Sequence, residues 1–262
     1  MKILLLGHRE IYSNFALSLL VDRLLPQHEL HIMLSAPVKI TAKLLPEIIA
    51  LEDYEICLCD DIDSGKQQPE TPGFNITGLE ELAAITGNAL GSLENPNNPE
   101  GLSVLRELQP DLIISVRYRV ILKDQAISVP RYGVLNIHSG LLPEYRGVMP
   151  TFQAMLNGDS EIGSTLHYIV DGTIDTGPVV GRSRIPLDPG RSYMANVLDL
   201  YPPGIEMIVA AVTSISTDGV AASHEQRGER RYHSFPLPAD LETFLERGFR
   251  LCDGDEVQRL TW

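Results

Sequence analysis

Basic residues are scarce in this chain: 21 lysines and arginines stand against 35 aspartates and glutamates, a formal net charge of -14 over 262 residues. A surface with that excess of carboxylate repels phosphate backbones unless its few cations are gathered in one patch, so nucleic acid is a poor partner. Cysteine is rare as well. Cys57, Cys59 and Cys252 are odd in number, and the Cys-x-Cys pair, read as part of a strand, supplies no complete metal set. These thiols read as reduced and structural, and no metal is expected. Long apolar runs are missing: the N-terminal run after Lys2 is only Ile3 to Leu6, far short of a signal-peptide core or of the ~20 residues that span a bilayer, and no other stretch is long enough. The expectation is a cytoplasmic protein with no membrane partner. Also missing are a Gly-x-Gly-x-x-Gly pattern after the first strand and a Ser or Cys nucleophile with an evident paired base.

What is present is ordinary globular composition, 44% hydrophobic and 21% charged, in a chain long enough for one large α/β domain with a modest appendage. Apolar runs at Ile3–Leu6, His28–Leu34, Leu112–Val116, Val134–His138, Thr165–Val170 and Val179–Ile185 read as strands. Between them lie helical patterns: one after Ser13 as a possible N-cap, then Leu44–Leu51, Gly78–Thr86, Pro99–Leu108, Met149–Leu156, and Met194–Val212 with an interruption near Pro202–Pro203. Such alternation marks a Rossmann-like, mostly parallel sheet with helices on both faces. Asp60 to Asn75 is polar enough for an exposed loop. The expected division is a catalytic domain over 1–212 and a C-terminal extension or small subdomain over 213–262, which holds Arg227, Arg230 and Arg231 as a solvated basic patch.

The chemistry concentrates after Gly133, in GVLNIHSGLLPEYRGVMPTFQAMLNGDSEIGSTLHYIVDGTIDTGPVV. Asn136 and His138 are two apart on a strand and point the same way, at the strand end where α/β sheets place ligands. A second turn, Asp171-Gly-Thr-Ile-Asp175-Thr-Gly177, can approach that end. This trio suits acyl transfer to an amine. The Asn amide donates to a developing oxyanion, a contribution worth ~3 kcal/mol when one such donor is removed. The His donates to the same oxygen or carries the amine's proton, and the Asp orients the His and holds a water in the relay. Asp171 competes with Asp175 as the carboxylate.

Through Asn136-x-His138, the SGLLPEYRG loop and the IDTGPVV turn carrying Asp175, the chain resembles the 10-formyltetrahydrofolate-dependent formyltransferases, which include glycinamide ribonucleotide, methionyl-tRNA and sugar N-formyltransferases. The resemblance is strong over Leu112 to Ile185 and extends through the order of elements to Met1. It implies the formyltransferase fold, 10-formyltetrahydrofolate as co-substrate, and Asn136, His138 and Asp175 as catalytic residues. It also implies that Arg119-Val-Ile-Leu122 is the pterin-binding stretch, with Arg119, Ile121, Leu122 and Asp171 as cofactor contacts.

Departures from the family bear on the acceptor. Methionyl-tRNA formyltransferases carry a further C-terminal β-barrel, and too little chain follows Ile208 to form it. The Gly7-His8-Arg9-Glu10 loop lacks the Gly-Ser-Asn type of phosphate cradle found in the glycinamide ribonucleotide enzymes. The expected acceptor is therefore a small-molecule or carrier-linked amine, either an amino sugar on a nucleotide or an amine or hydroxylamine of an amino acid. Arg146, Gln153, Thr165 and His8 are candidate acceptor contacts, and His167 is equally a core or a pocket residue. A homodimer is compatible with this reading. Two rivals share the motifs: a 10-formyltetrahydrofolate hydrolase, which in the related deformylases carries an extra N-terminal domain, and a noncatalytic folate-binding protein.

Overall fold

The computed structural model describes residues 1–36, 44–66 and 76–258. In chain order the elements are β1 (Lys2–Gly7), α1 (Ile11–Leu24), β2 (Glu29–Leu34), α2 (Pro46–Asp63), α3 (Leu79–Ile85), β3 (Gly91–Ser92), α4 (Pro99–Leu108), β4 (Leu112–Val116) and α5 (Asp124–Ile127). They continue as β5 (Val134–His138), β6 (Arg146–Gly147), α6 (Pro150–Asn157), β7 (Glu161–Ile169), β8 (Val179–Pro186), α7 (Tyr193–Leu198), α8 (Tyr201–Asp218), β9 (Tyr232–His233), α9 (Pro238–Glu246) and α10 (Gly254–Gln258).

Seven strands form one sheet in the order β3-β2-β1-β4-β5-β7-β8, parallel from β3 through β5, with β7 and β8 added antiparallel. The period-two alternation of each strand builds two cores. Ile3, Leu5, Ile114, Leu135 and Ile137 face α1, α2, α6, α7 and α8, whereas Leu4, Leu6, Ile113 and Val134 face α4 and α5. Because both faces are covered, β1 and β4 are buried and almost entirely apolar. The chain order reverses between β1 and β4, which opens a crevice beyond their carboxyl ends.

Several local expectations are corrected. The N-cap of α1 is Glu10, whose carboxylate accepts from Tyr12 N and Ser13 N; Ser13 lies inside the helix, and its hydroxyl accepts from His8 N and donates to Val116 O. Cys57 and Cys59 lie on α2, not on a strand; α2 runs ten residues or more past the short helix expected there because its acidic end still buries Glu55, Leu58 and Cys59. Of the polar stretch expected as a loop, Asp60–Asp63 belong to α2, and residues 67–75 lie outside the described residues. The break between α7 and α8 falls at residues 199–200, with Pro202 and Pro203 in the first turn of α8, where proline costs no hydrogen bond.

The division placed at 212/213 falls inside α8, which continues to Asp218. Beyond it the chain folds back on the domain: β9 pairs in parallel with β6, and the fully buried rings of Phe152 and Phe244 stack at 4.4 Å, fastening α9 to α6. The helical stretch Tyr193–Asp218 is long and apolar enough by length and composition to cross a membrane, yet half of its most apolar window is buried in the core. Its role here is packing.

Candidate active site

At the carboxyl end of β5, register does the assembling. Ser115 of β4 and His167 of β7 flank Asn136, and Thr165 lies opposite His138. His167 Nδ1 lies 3.0 Å from Tyr168 O, which only accepts, so Nδ1 carries the proton. Nε2 then accepts from Asn136 Nδ2 at 3.1 Å, and one amide hydrogen of Asn136 is left for the cavity. His138 Nε2 donates to Tyr145 O at 2.6 Å, which turns Nδ1 toward Asp175 at 3.6 Å. Gly140 makes this possible, since a Cβ there would sit 2.7 Å from His138 Nε2 and 2.9 Å from Tyr145 O.

Asp175 stands in the left-handed region at φ 54, with its second oxygen 3.6 Å from His167 Nε2. Burial raises its carboxyl, but His138 and the Gly147 N–H at 2.9 Å outweigh that and hold it well below the usual carboxylate range. Gly147 itself is at φ 95, pressed against His233 O, where a side chain has no room. From the tail, Gln226 donates to both Asp175 O and Gly177 O at 3.0 and 2.9 Å and fixes the turn. The C-terminal segment therefore helps to shape the site.

These groups line a cavity of about 430 Å³ whose wall also includes Arg119, Ile121, Leu122 and Asp171. Arg119 pairs with Glu52 at 3.1 Å, Ile121 is exposed, Leu122 is buried, and Asp171 accepts from Thr173 at the rim. Four other sequence candidates lie elsewhere. His8 is buried and bonded through Nδ1 to Ser35 Oγ at 2.9 Å, and its pKa is lowered to about 4 by burial and by Arg119 and Arg117. Thr165 is fully buried and staples the following loop, donating to Gly140 O and accepting from Leu142 N. Arg146 donates twice to Ile174 O and braces the Asp175 turn, and Gln153, on α6, is not part of the cavity wall. Arg146, Gln153 and Thr165 follow from proximity to the motif and His8 from its place directly after the first strand, whereas their hydrogen bonds and the turn of α6 hold them away from the cavity. Arg231 is exposed and paired with Glu229, as a solvated basic patch requires.

Among the wall residues that sequence reading passed over are Glu55 and Arg117. The available signal was the spacing of Ile48, Leu51 and Glu55, which puts the acid on the buried stripe of α2.

Residues 84–198, which contain all three of Asn136, His138 and Asp175, match the formyl transferase family. The chain is 30% identical over 156 residues to the methionyl-tRNA formyltransferase of Kosmotoga olearia, an alignment covering 60% of this chain and 50% of that one. The chain thus spans about half the length of the curated relatives it matches. In fold it is similar to glycinamide ribonucleotide transformylase 1 from Symbiobacterium toebii, with a TM-score of 0.61, 16% identity, and 87% of this chain and 93% of that one covered. It is also similar to the sugar 3N-formyl transferase WlaRD, solved in the presence of dTDP and 5-N-formyl-THF, with a TM-score of 0.58, 18% identity, and 89% and 69% covered. Residues 84–198 thus carry the match to the formyl transferase family, and the chain as a whole shares the fold of these formyltransferase structures.

Proposed function

We propose that the protein moves a formyl group from 10-formyltetrahydrofolate to an amine of a small acceptor, with Asn136, His138 and Asp175 as its catalytic residues. The observation that carries this is the free amide hydrogen of Asn136 beside a histidine–aspartate pair in one cavity. The co-substrate supplies the electrophilic formyl carbon. The wall fits its pterin: the 119–122 segment and the 169–174 segment offer apolar side chains together with main-chain groups, and Ile121 stays exposed beside them.

Asn136 Nδ2 donates toward the oxygen on which charge develops, with its orientation set by His167. His138 stands beside it, anchored through Nε2, with Nδ1 facing Asp175. The carboxylate of Asp175, ionised across the physiological range, stabilises His138 as it takes up positive charge, and the pair carries the proton that the amine releases. The amine must arrive unprotonated. Hydrolysis would need only water in the amine's place, and a bare folate-binding role would need none of this proton chemistry.

The test is tetrahydrofolate release with mass analysis of the acceptor. Asn136→Ala is expected to lower kcat/KM by ~10²–10³, and Asp175→Asn by ~10²–10⁴, with unchanged circular dichroism. Near-normal turnover in either variant removes that residue from the mechanism. Formate release without an acceptor would establish the hydrolase instead.

A further inference from the structure

Beside the catalytic trio, the same cavity holds a charge pair that the mechanism does not use. Arg117 lies just past β4, one residue beyond the Val116–Ile137 pairing, and so at the level of His138 on the adjacent strand. Its φ is 53, a conformation that costs a non-glycine residue ~1–3 kcal/mol and that clusters at ligand sites. The guanidinium is held from behind. It stacks 4.5 Å over the Tyr12 ring and bonds through Nε to Glu10 at 3.1 Å, while a quarter of its side chain stays accessible.

Glu55 faces it from α2. This carboxylate is 97% buried and at the cavity wall, 3.8 Å from Arg117 Nη2, with the Tyr12 hydroxyl beside it. A buried carboxylate whose cationic partner stands 3.8 Å away leaves room for a further charged donor supplied by a ligand. The pair therefore presents one cationic and one anionic group side by side at the cavity wall.

The anion seat usually offered by a helix N-terminus is already filled here. Glu10 accepts from Tyr12 N and Ser13 N at the start of α1, so the protein's own carboxylate occupies the place a phosphate would take. Among the described residues the cavity wall carries Glu52, Glu55, Asp171 and Asp175 against Arg117 and Arg119, which repels a diphosphate.

Resting on the formyl-transfer reading, we propose that the acceptor is a free α-amino acid whose head group is held by Arg117 through its carboxylate and by Glu55 through its ammonium, while its side-chain amine or hydroxylamine reaches Asn136. Arg117, Glu55 and Asn136 line one cavity, so the amino acid's side chain carries its amine from that head group to the reacting position. The amine nitrogen forms the new bond to the formyl carbon, the bond to tetrahydrofolate nitrogen breaks, and the amine's proton passes through His138 to the departing nitrogen.

The experiment gives the purified full chain 10-formyltetrahydrofolate with L-ornithine, δ-N-hydroxy-L-ornithine, putrescine or a dTDP-linked amino sugar. Tetrahydrofolate release and product mass are followed, and calorimetry measures binding of the same compounds without turnover. Formylation of one of the two amino acids is expected, with kcat/KM for putrescine lower by roughly 30- to 100-fold because the carboxylate partner is gone. Glu55→Gln should raise KM for the amino acid at least about tenfold with kcat within a few-fold, and Arg117→Lys should act likewise, thermal melts confirming that both variants fold. Formylation of the sugar nucleotide but of neither amino acid overturns the inference and leaves the transferase standing. So does an unchanged KM in Glu55→Gln. Amino-acid binding that is weakened by Glu55→Gln, with no formyl moved to any acceptor, would support the head-group site and sink formyl transfer, whereas no amino-acid binding and no amino-acid product overturns the head-group site.

Discussion

Glu55 keeps an ionisable group where water barely reaches, and its carboxyl is pushed up to about 7, first by burial and further by Glu10, with Arg117 pulling the other way. Its ordinary value is 4.5, so the folded state binds this proton more tightly than the unfolded chain does. The stability it contributes is fully present below about pH 4.5 and is lost as pH rises through about 7. Glu55→Gln should therefore melt near wild type at pH 4.5 and be more stable at pH 8, by about 1–3 kcal/mol, as read from urea unfolding at the two pH values. Equal stabilities at pH 8 would mean that the carboxylate is solvated. A residue kept at a cost to stability is what a binding site requires. Asp175 is the opposite case: its lowered pKa means that it stabilises the fold above the ordinary carboxylate range, and that contribution is lost as acid protonates it.

At the scale of elements, the site depends on pieces far apart in sequence. β5 and β7 bring Asn136 and His167 together, β6 supplies the N–H that holds Asp175, and β9 pairs with β6 from the tail. The tail is fastened by Phe244 of α9, which stacks on Phe152 and lies beside Phe249. Phe244→Ala is expected to cost ~3–5 kcal/mol, measured by chemical unfolding. A change under about 1 kcal/mol would show that α9 is not part of the cooperative unit. The strands were legible from their apolar runs, and α4 from Pro99 and its periodic leucines. The length of α2 was not, because its last turn reads Cys-Asp-Asp-Ile-Asp, a polar composition kept helical by burial of Cys59 and by Asp63, whose carboxylate accepts from Leu79 N at 2.5 Å on the next helix.

Across the whole molecule the excess negative charge should favour the approach of a cationic acceptor. Ornithine carries a net positive charge at neutral pH, so its kcat/KM should fall by several-fold between roughly 0.01 M and 1 M salt, as the Debye length shrinks from about 30 Å to 3 Å. A rate that rises with salt would contradict electrostatic attraction. The same charge balance makes a phosphate-bearing acceptor a poor match to this cavity.

Sequence by itself determined the strand-and-helix alternation, the pairing of Asn136 with His138 on one face, and the formyltransferase motifs around them, because these depend on period-two geometry and short spacing. Tertiary structure decided which side chains reach the cavity. His8, Thr165, Arg146 and Gln153 spend their polar groups elsewhere or face away from the cavity, while Glu55 and Arg117 reach it from α2 and the end of β4, and Gln226 fixes the Asp175 turn from the tail. Local pattern fixes the direction of a side chain within its own element. Only packing between elements fixes what stands opposite it, and a buried charge such as Glu55 acquires its meaning from that neighbour.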